Sequence, residues 1–173
     1  MSENVIWIDD AGWGELLLGV VVGAIKPPDP RYMERRIAFA SFQPPNFENK
    51  QYLDDAVKIA DEIAEVMRAD EDTTFKVCSG YVLSGIRRHL RARGFRVEEV
   101  EATGDLHEKV DRGYIRWCKE MGVPAESLED KRHFWTFLEW IAENPEIRER
   151  LVKTGWKSWK AKWQEKARLY KFS

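Results

Sequence analysis

The sequence lacks any apolar run of about 18 residues, the length that a membrane-crossing helix needs. It has only two cysteines, Cys78 and Cys118, without metal-ligand spacing, so we expect neither a disulfide framework nor a zinc site. Its acidic N-terminus does not resemble a signal peptide. We therefore predict a soluble, cytoplasmic protein without a membrane partner. With 173 residues, 43% of them hydrophobic, one globular body is expected.

Charge is distributed unevenly along the chain. Residues 150–173 contain eight Lys or Arg and a single acid, Glu165, so this segment carries +7. The preceding residues must then carry −9, because the net charge of the whole chain is −2. This asymmetry predicts an acidic body with a basic appendage that binds nucleic-acid phosphates or docks on an acidic neighbouring subunit. The abundance of Glu, Lys and Arg is also typical of thermophile proteins.

Hydrophobic periodicity predicts the element order β-β-β-α-β-α-β-α-α. Three antiparallel strands followed by strands alternating with helices indicate an α/β fold, with a mixed five-stranded sheet and helices on both faces. The prolines in 26–30 are expected to interrupt the sheet ladder. We divide the chain into a domain over 1–146 and a helical, Trp- and Lys-rich extension over 147–173. The predicted strands cover 5–8, 16–25, 36–42, 75–78 and 95–100, and the predicted helices cover 53–67, 81–93, 105–121 and 127–144.

Asp9 and Asp10 stand at the end of the first predicted strand. Strand ends of an α/β sheet open into the crevice where ligands usually bind. Adjacent strand residues point to opposite faces, so one aspartate serves a given site, and we favour Asp9 with Asp10 close behind. The alternative is a turn, in which an Asp before Ala11-Gly12 caps its own backbone. The motif alone favours neither interpretation.

A second candidate pair is Asp130 and His133 on the fourth predicted helix. A spacing of three residues places both side chains on one helix face, where a carboxylate and an imidazole can bind a metal ion or activate water. Ser127 and Asp130 also match a capping box, in which the acid reaches back to the start of the helix. From the sequence alone, without the fold, we favour the capping role of Asp130.

Basic residues at three places could contact nucleic acid. Lys109 follows the start of the third helix, where amides and a cation can meet a phosphate. Arg87 and Arg91 belong to an arginine-rich helix that can follow a phosphate backbone but more often is simply solvated. Lys157 and Lys160 lie in the basic tail.

The tail also has tryptophans at 156, 159 and 163, which fall on one helical stripe. Aromatic side chains can stack on unpaired bases while lysines neutralise phosphates. They can equally be buried against the domain or a second subunit. We favour packing, and we predict a homo-oligomer.

With this element order, the chain resembles the ribonuclease H-like nuclease superfamily. The first strand, Val5-Ile6-Trp7-Ile8-Asp9-Asp10, resembles the family's aspartate-bearing strand. The stretch from Val100 to Val110 resembles the Thr-Gly segment and lysine-bearing helix of Holliday-junction resolvases and small archaeal DNA nucleases. Asp130 and His133 resemble the acid pair, or acid-histidine pair, of the last catalytic helix. The chain departs from the family where strand four ends in Cys78-Ser79 rather than in an acid.

The resemblance implies a Mg²⁺- or Mn²⁺-dependent deoxyribonuclease, an exonuclease or a structure-specific endonuclease, acting on single-stranded or branched DNA. Asp9 and Asp130 would hold the metal, with His133 or Glu101 completing the site and Asp10 beside it. One alternative is a catalytically inactive nucleic-acid-binding or assembly protein on the same fold. Another is a hydrolase acting on a small metabolite.

Overall fold

The computed structural model describes residues 3–102, 104–129 and 133–169, and in them the chain forms one five-stranded mixed sheet. The strand order is β3-β2-β1-β4-β5. β2 is antiparallel to both β1 and β3, whereas β4 is parallel to both β1 and β5. This arrangement confirms the predicted ribonuclease H-like fold class. The strands are β1 (Val5–Ala11), β2 (Val20–Lys26), β3 (Asp29–Ile37), β4 (Thr74–Cys78) and β5 (Arg96–Val100).

Helices cover the sheet on both faces. The core on one face includes α1 and α2, and the core on the other includes α3, α4 and the C-terminal segment. No helix in the described ranges is long and apolar enough to cross a membrane. The helices are α1 (Gln51–Val66), α2 (Ser84–Ala92), α3 (Gly104–Glu120), α4 (His133–Glu143), α5 (Pro145–Arg148) and α6 (Gln164–Leu169).

β1 is the central strand, and it is buried on both faces. Ile6 and Ile8 belong to the core that contains α1 and α2, whereas Ala11 belongs to the core that contains α3. Alternation along the strand therefore directs Asp9 toward α3 and Asp10 toward the opposite face. A central strand with neighbours on both sides holds these side chains in fixed positions.

The predicted bounds of β2 and β3 were wrong. Pro27 and Pro28 form a two-residue turn, and β3 begins directly after it, at Asp29. Pro30 is tolerated in β3 because this is an edge strand, where a missing amide donor matters little. Beyond Ile37 the chain turns into a 3₁₀ helix at Phe39–Phe42 rather than continuing as a strand.

Residues 16–18 also lie outside the sheet, because their backbone pairs with the C-terminal segment. Leu18 N–H donates to Leu151 O at 2.7 Å, and Lys153 N–H donates to Leu16 O at 2.9 Å. The predicted tryptophan stripe follows, with Trp159 buried in the α3 core. The start of the basic tail is thus packed on the sheet domain.

We predict that Gly19→Ala destabilises the protein by about 3 kcal/mol. A Cβ at Gly19 would overlap the backbone oxygen of Ile37, which has little freedom to move because it closes the β2–β3 ladder. Gly14→Ala is the matched control, since its added Cβ meets no atom within 4 Å. Urea denaturation of both variants measures the difference. Equal stabilities would contradict this account of the packing.

Candidate active site

Asp9 is a buried carboxylate on the central strand, with 2% of its surface exposed. Its Oδ1 accepts the backbone N–H of Asp10 at 2.7 Å, and its Oδ2 lies 3.1 Å from Nδ1 of His107. A buried charge is costly unless it is hydrogen-bonded or paired, and these two contacts supply that. The Asp9–His107 contact joins the end of β1 to the first turn of α3.

His107 lies between two carboxylates. While Nδ1 faces Asp9, Nε2 is 3.4 Å from Oδ2 of Asp111, one helical turn further along α3. The spacing of four residues puts both side chains on the helix face above β1. Both are more exposed than Asp9, with 44% of the His107 side chain and 56% of the Asp111 side chain accessible. The cluster therefore runs from a buried acid to a solvent-accessible one.

Asp10 packs against the backbone after β4. A Cβ at Gly80 would lie 2.8 Å from its Oδ1, so only glycine leaves room for the carboxylate. Burial, and secondly the charge of Asp9, raise the pKa of Asp10 to about 7, although His107 and Arg87 pull it down. Asp10 can therefore hold or release a proton near neutral pH.

Cys78 occupies the end of β4, where the family places an acid. Burial, followed by the negative charge of Asp9 and a hydrogen bond to it, raises the pKa of the Cys78 thiol to about 12. The thiol is thus neutral at physiological pH and adds no charge to the site. The carboxylate of Glu101, whose side chain is exposed, also raises this pKa.

The structure puts His133 in a different cluster. Its Nδ1 is 2.9 Å from Oε1 of Glu15, and its ring packs on Phe137 at 5.3 Å between centroids. Asp130 lies outside the described residues. The histidine that meets Asp9 is His107 on α3, and Asp111 meets the other nitrogen of the same imidazole.

Sequence reasoning missed this pair, although its spacing was visible. His107 and Asp111 stand four residues apart on the helix that directly follows the fifth strand. The neighbouring Asp105 and Glu108 match a helix cap with its partner three residues on, and that pattern explains the acids of this segment without a site.

The predicted nucleic-acid-binding residues divide into buried and accessible ones. Arg87 is buried, donates to the carbonyls of Cys78 and Gly80, and pairs with Glu99 at 3.1 Å. We therefore reassign Arg87 from phosphate contact to holding the loop after β4. Lys109 lies 3.9 Å from Asp105 and is 33% exposed. Arg91, Lys157 and Lys160 are exposed.

A divalent metal would find oxygen ligands here but no complete cage. Across 3–102, 104–129 and 133–169 there is no preformed group of three or more His, Cys, Asp or Glu that could hold a metal ion. Asp9 nevertheless supplies a carboxylate on the α3 side of β1, with Asp10 next to it on the other side, and Mg²⁺ keeps several waters while binding one or two carboxylates. The donor chemistry fits Mg²⁺ or Mn²⁺.

Comparison with known proteins gives little beyond the fold. No protein-family model matches the chain, and no curated protein matches it. Among solved structures, the catalytic core domain of BIV integrase aligns with 76% of this chain and 86% of its own, with 11% identity and a TM-score of 0.39. Agreement at that level carries no argument, so the fold assignment rests on the sheet order.

We predict that the free energy of unfolding falls as pH rises from about 4 to about 7. The pKa of Asp10 in the folded protein, about 7, lies above its ordinary 3.8, so the folded state holds the extra proton between these values. This contributes at most about 1.4 kcal/mol per pH unit. In Asp10→Asn the dependence of the free energy of unfolding on pH should be shallower by that amount, as measured by urea denaturation at several pH values. Asp54→Asn, which changes an exposed acid to an amide, is the control. If the free energy of unfolding of Asp10→Asn depends on pH as steeply as that of the wild type, the raised pKa of Asp10 is refuted.

Proposed function

We propose that this protein is a Mg²⁺- or Mn²⁺-dependent nuclease that hydrolyses DNA phosphodiester bonds at the cluster of Asp9, Asp10, His107 and Asp111. The observation that carries the proposal is the contact of the buried Asp9 carboxylate on β1 with the His107 imidazole, which reaches the Asp111 carboxylate on α3 through its other nitrogen, with Asp10 next to Asp9 along the strand. One of these groups titrates near neutral pH, as expected for a residue that transfers protons.

Asp9 would hold the metal ion on the α3 side of β1, and Asp130 keeps its predicted role as a further ligand. A divalent ion supplied there would stabilise the charge of the phosphate and lower the pKa of a bound water. It also answers an electrostatic difficulty, because acids alone repel a phosphodiester. The raised pKa of Asp10, on the other side of the strand, reflects its burial first and then the charge of Asp9.

Proton handling falls to Asp10 and His107. Asp10 can accept a proton from water near pH 7, since burial raises its pKa to about that value. His107 is fixed by Asp9 on one nitrogen and reaches Asp111 through the other, which orients its ring. Asp111, more than half exposed, is positioned to pass protons to solvent.

Single-stranded or branched DNA is the proposed substrate. The resemblance to junction resolvases and small archaeal nucleases supports this choice, as do the exposed Arg91, Lys157 and Lys160. The acidic body makes a long duplex contact unfavourable away from these basic residues. Glu101 keeps its predicted supporting role, whereas His133 pairs with Glu15 outside this cluster. Homo-oligomerisation, which analytical ultracentrifugation measures, stays a prediction.

Labelled single-stranded, duplex and junction DNA incubated with Mn²⁺ or with chelator tests the proposal. We expect Mn²⁺-dependent cleavage that falls by about 100-fold or more in Asp9→Asn, Asp10→Asn and His107→Gln. Asp54→Asn, an acid-to-amide change on the exposed surface of α1, should retain wild-type activity. Circular dichroism verifies that each variant folds. Cleavage that survives both Asp9→Asn and Asp10→Asn would refute the site.

Cys78 favours a second candidate, a nucleic-acid-binding or assembly protein without catalytic activity. A neutral thiol stands beside Asp9 where the family has an acid. This candidate predicts salt-sensitive DNA binding without hydrolysis at any metal concentration. Cys78→Asp separates the two, since a gain of Mn²⁺-dependent cleavage from an inactive parent would identify the missing acid as the cause.

A further inference from the structure

A groove of about 520 Å³ lies between the start of α1 and the C-terminal segment, outside the proposed catalytic cluster. Its volume falls within the range of about 300–1,000 Å³ that is usual for ligand sites. Three aromatic side chains and two lysines line it, namely Phe47, Tyr52, Trp156, Lys50 and Lys157. Rings and cations side by side are the combination with which proteins bind single-stranded nucleic acid.

Backbone and ring contacts hold the two walls of the groove together. The N–H of Gly155 donates to Phe42 O at 2.9 Å, which ties the C-terminal segment to the residues before α1. The ring centroid of Phe47 lies 5.0 Å from that of Trp156 and 5.4 Å from that of Tyr52. A Cβ at Gly155 would overlap Phe47, so only glycine lets the walls approach this closely. The groove is therefore preformed.

Lys50 and Lys157 are free to meet an anion. Both are exposed, and in the part of the chain that the structure describes neither forms an ion pair with an acid. Lys109, by contrast, has Asp105 within 3.9 Å. The described lining includes two lysines and one acid, Glu48, on a chain whose net charge is −2. A positive groove on an acidic body is complementary to a phosphate backbone.

Tyr81 connects the groove with the end of β1. It is 46% exposed, and its ring lies 6.3 Å from that of Tyr52 and 5.5 Å from that of Trp13. Trp13 is the second residue after β1. Gly80, the residue before Tyr81, lies against the Asp10 carboxylate. The exposed ring therefore lies beside both the groove and the catalytic cluster.

Positive charge surrounds the hydroxyl of Tyr81. A hydrogen bond from Tyr52 lowers the pKa of Tyr81, against partial desolvation. A hydrogen bond from Lys50 lowers this pKa further, and so does the charge of Arg88, an exposed residue of α2. The positive surface therefore continues from the groove across Tyr81 to α2.

We propose that this groove binds an unpaired DNA strand that runs past the end of β1, with Lys50 and Lys157 on its phosphates and one base on the exposed ring of Tyr81. The choice of DNA rests on the proposed function, whereas binding in the groove does not require hydrolysis at Asp9. A base can stack on an aromatic side chain only where it is not already paired and stacked in a duplex. The groove thus selects single strands.

An acidic protein segment is the competing occupant, because its carboxylates carry the same sign of charge as phosphates. Carboxylates satisfy the two lysines but offer no flat π-face to Tyr81. A nucleic-acid strand supplies both the charge and the ring, so it matches more of the surface.

Fluorescence anisotropy of a labelled decathymidine strand, titrated with the full chain in chelator, tests the proposal. We expect saturable binding that is about 10-fold weaker when Lys50→Gln and Lys157→Gln are combined, with a salt dependence of log K that is shallower by about 0.7 per lysine. Lys58→Gln, which removes an exposed charge of α1 outside the groove, is the matched control and should bind as wild type does.

A second set of variants tests the base contact. Tyr81→Ala should weaken decathymidine binding by about 10-fold, and Tyr81→Phe, which keeps the ring, should retain it. An abasic strand of equal length should bind Tyr81→Ala and wild type equally, because it has no base to stack. Urea denaturation verifies that each variant folds.

Three results would overturn the proposal. They are a double lysine variant that binds as Lys58→Gln does, equal weakening of base-bearing and abasic strands by Tyr81→Ala, and tighter binding of a decaglutamate peptide than of decathymidine. Because binding is measured in chelator and cleavage in Mn²⁺, failure of the groove and failure of the nuclease are distinguishable. Binding that depends on Lys50 and Tyr81 without any cleavage supports the groove and refutes the nuclease.

Discussion

The contact between Asp9 and His107 is the interaction on which the candidate site depends. A carboxylate at 2% exposure on the central strand of a sheet is unstable unless other groups satisfy it. The imidazole does so from the first turn of α3, which fixes that helix across the sheet's open end. The same contact brings Asp111 over β1, and it leaves Asp10 among negative charges on the other side of the strand. Loss of this one contact would separate the two halves of the site.

Around that contact, a glycine makes room for a carboxylate, and backbone pairing holds the residues that follow β1. Gly80 admits the Asp10 carboxylate, and Arg87 holds the loop that carries Gly80 by bonding to two of its carbonyls. On the far side of the turn after β1, residues 16–18 leave the sheet to pair with the C-terminal segment. That pairing attaches the C-terminal segment to the turn after β1.

The sheet could be predicted from sequence because its signals are local. Val5 to Ile8 are apolar and β-branched or aromatic, and the order of strands and helices leaves few topologies. The β2–β3 hairpin was misplaced because an edge strand tolerates Pro30, a fact that only the sheet order reveals. Leu16 to Leu18 looked like strand residues, yet their partners lie more than 130 residues away.

Half of the candidate site was predictable in the same way. Asp9 and Asp10 follow from strand periodicity, whereas the identity of their partners depends on which helix crosses the end of β1. A histidine and an acid stand three or four residues apart both at 107 and 111 and at 130 and 133, and sequence alone ranks the two pairs by resemblance. Only the three-dimensional arrangement shows that His107 meets Asp9 while His133 meets Glu15.

The central claim is that Asp9 holds a cation at the end of β1, and carboxyl ¹³C NMR titration of its neighbour Asp10 with and without Mg²⁺ tests it most directly. Without metal, the account predicts a pKa of about 7. With saturating Mg²⁺, that pKa should fall below 7 but stay above the ordinary value of 3.8, because a nearby cation favours the ionised carboxylate while burial still opposes it. A pKa that Mg²⁺ leaves unchanged would contradict the account.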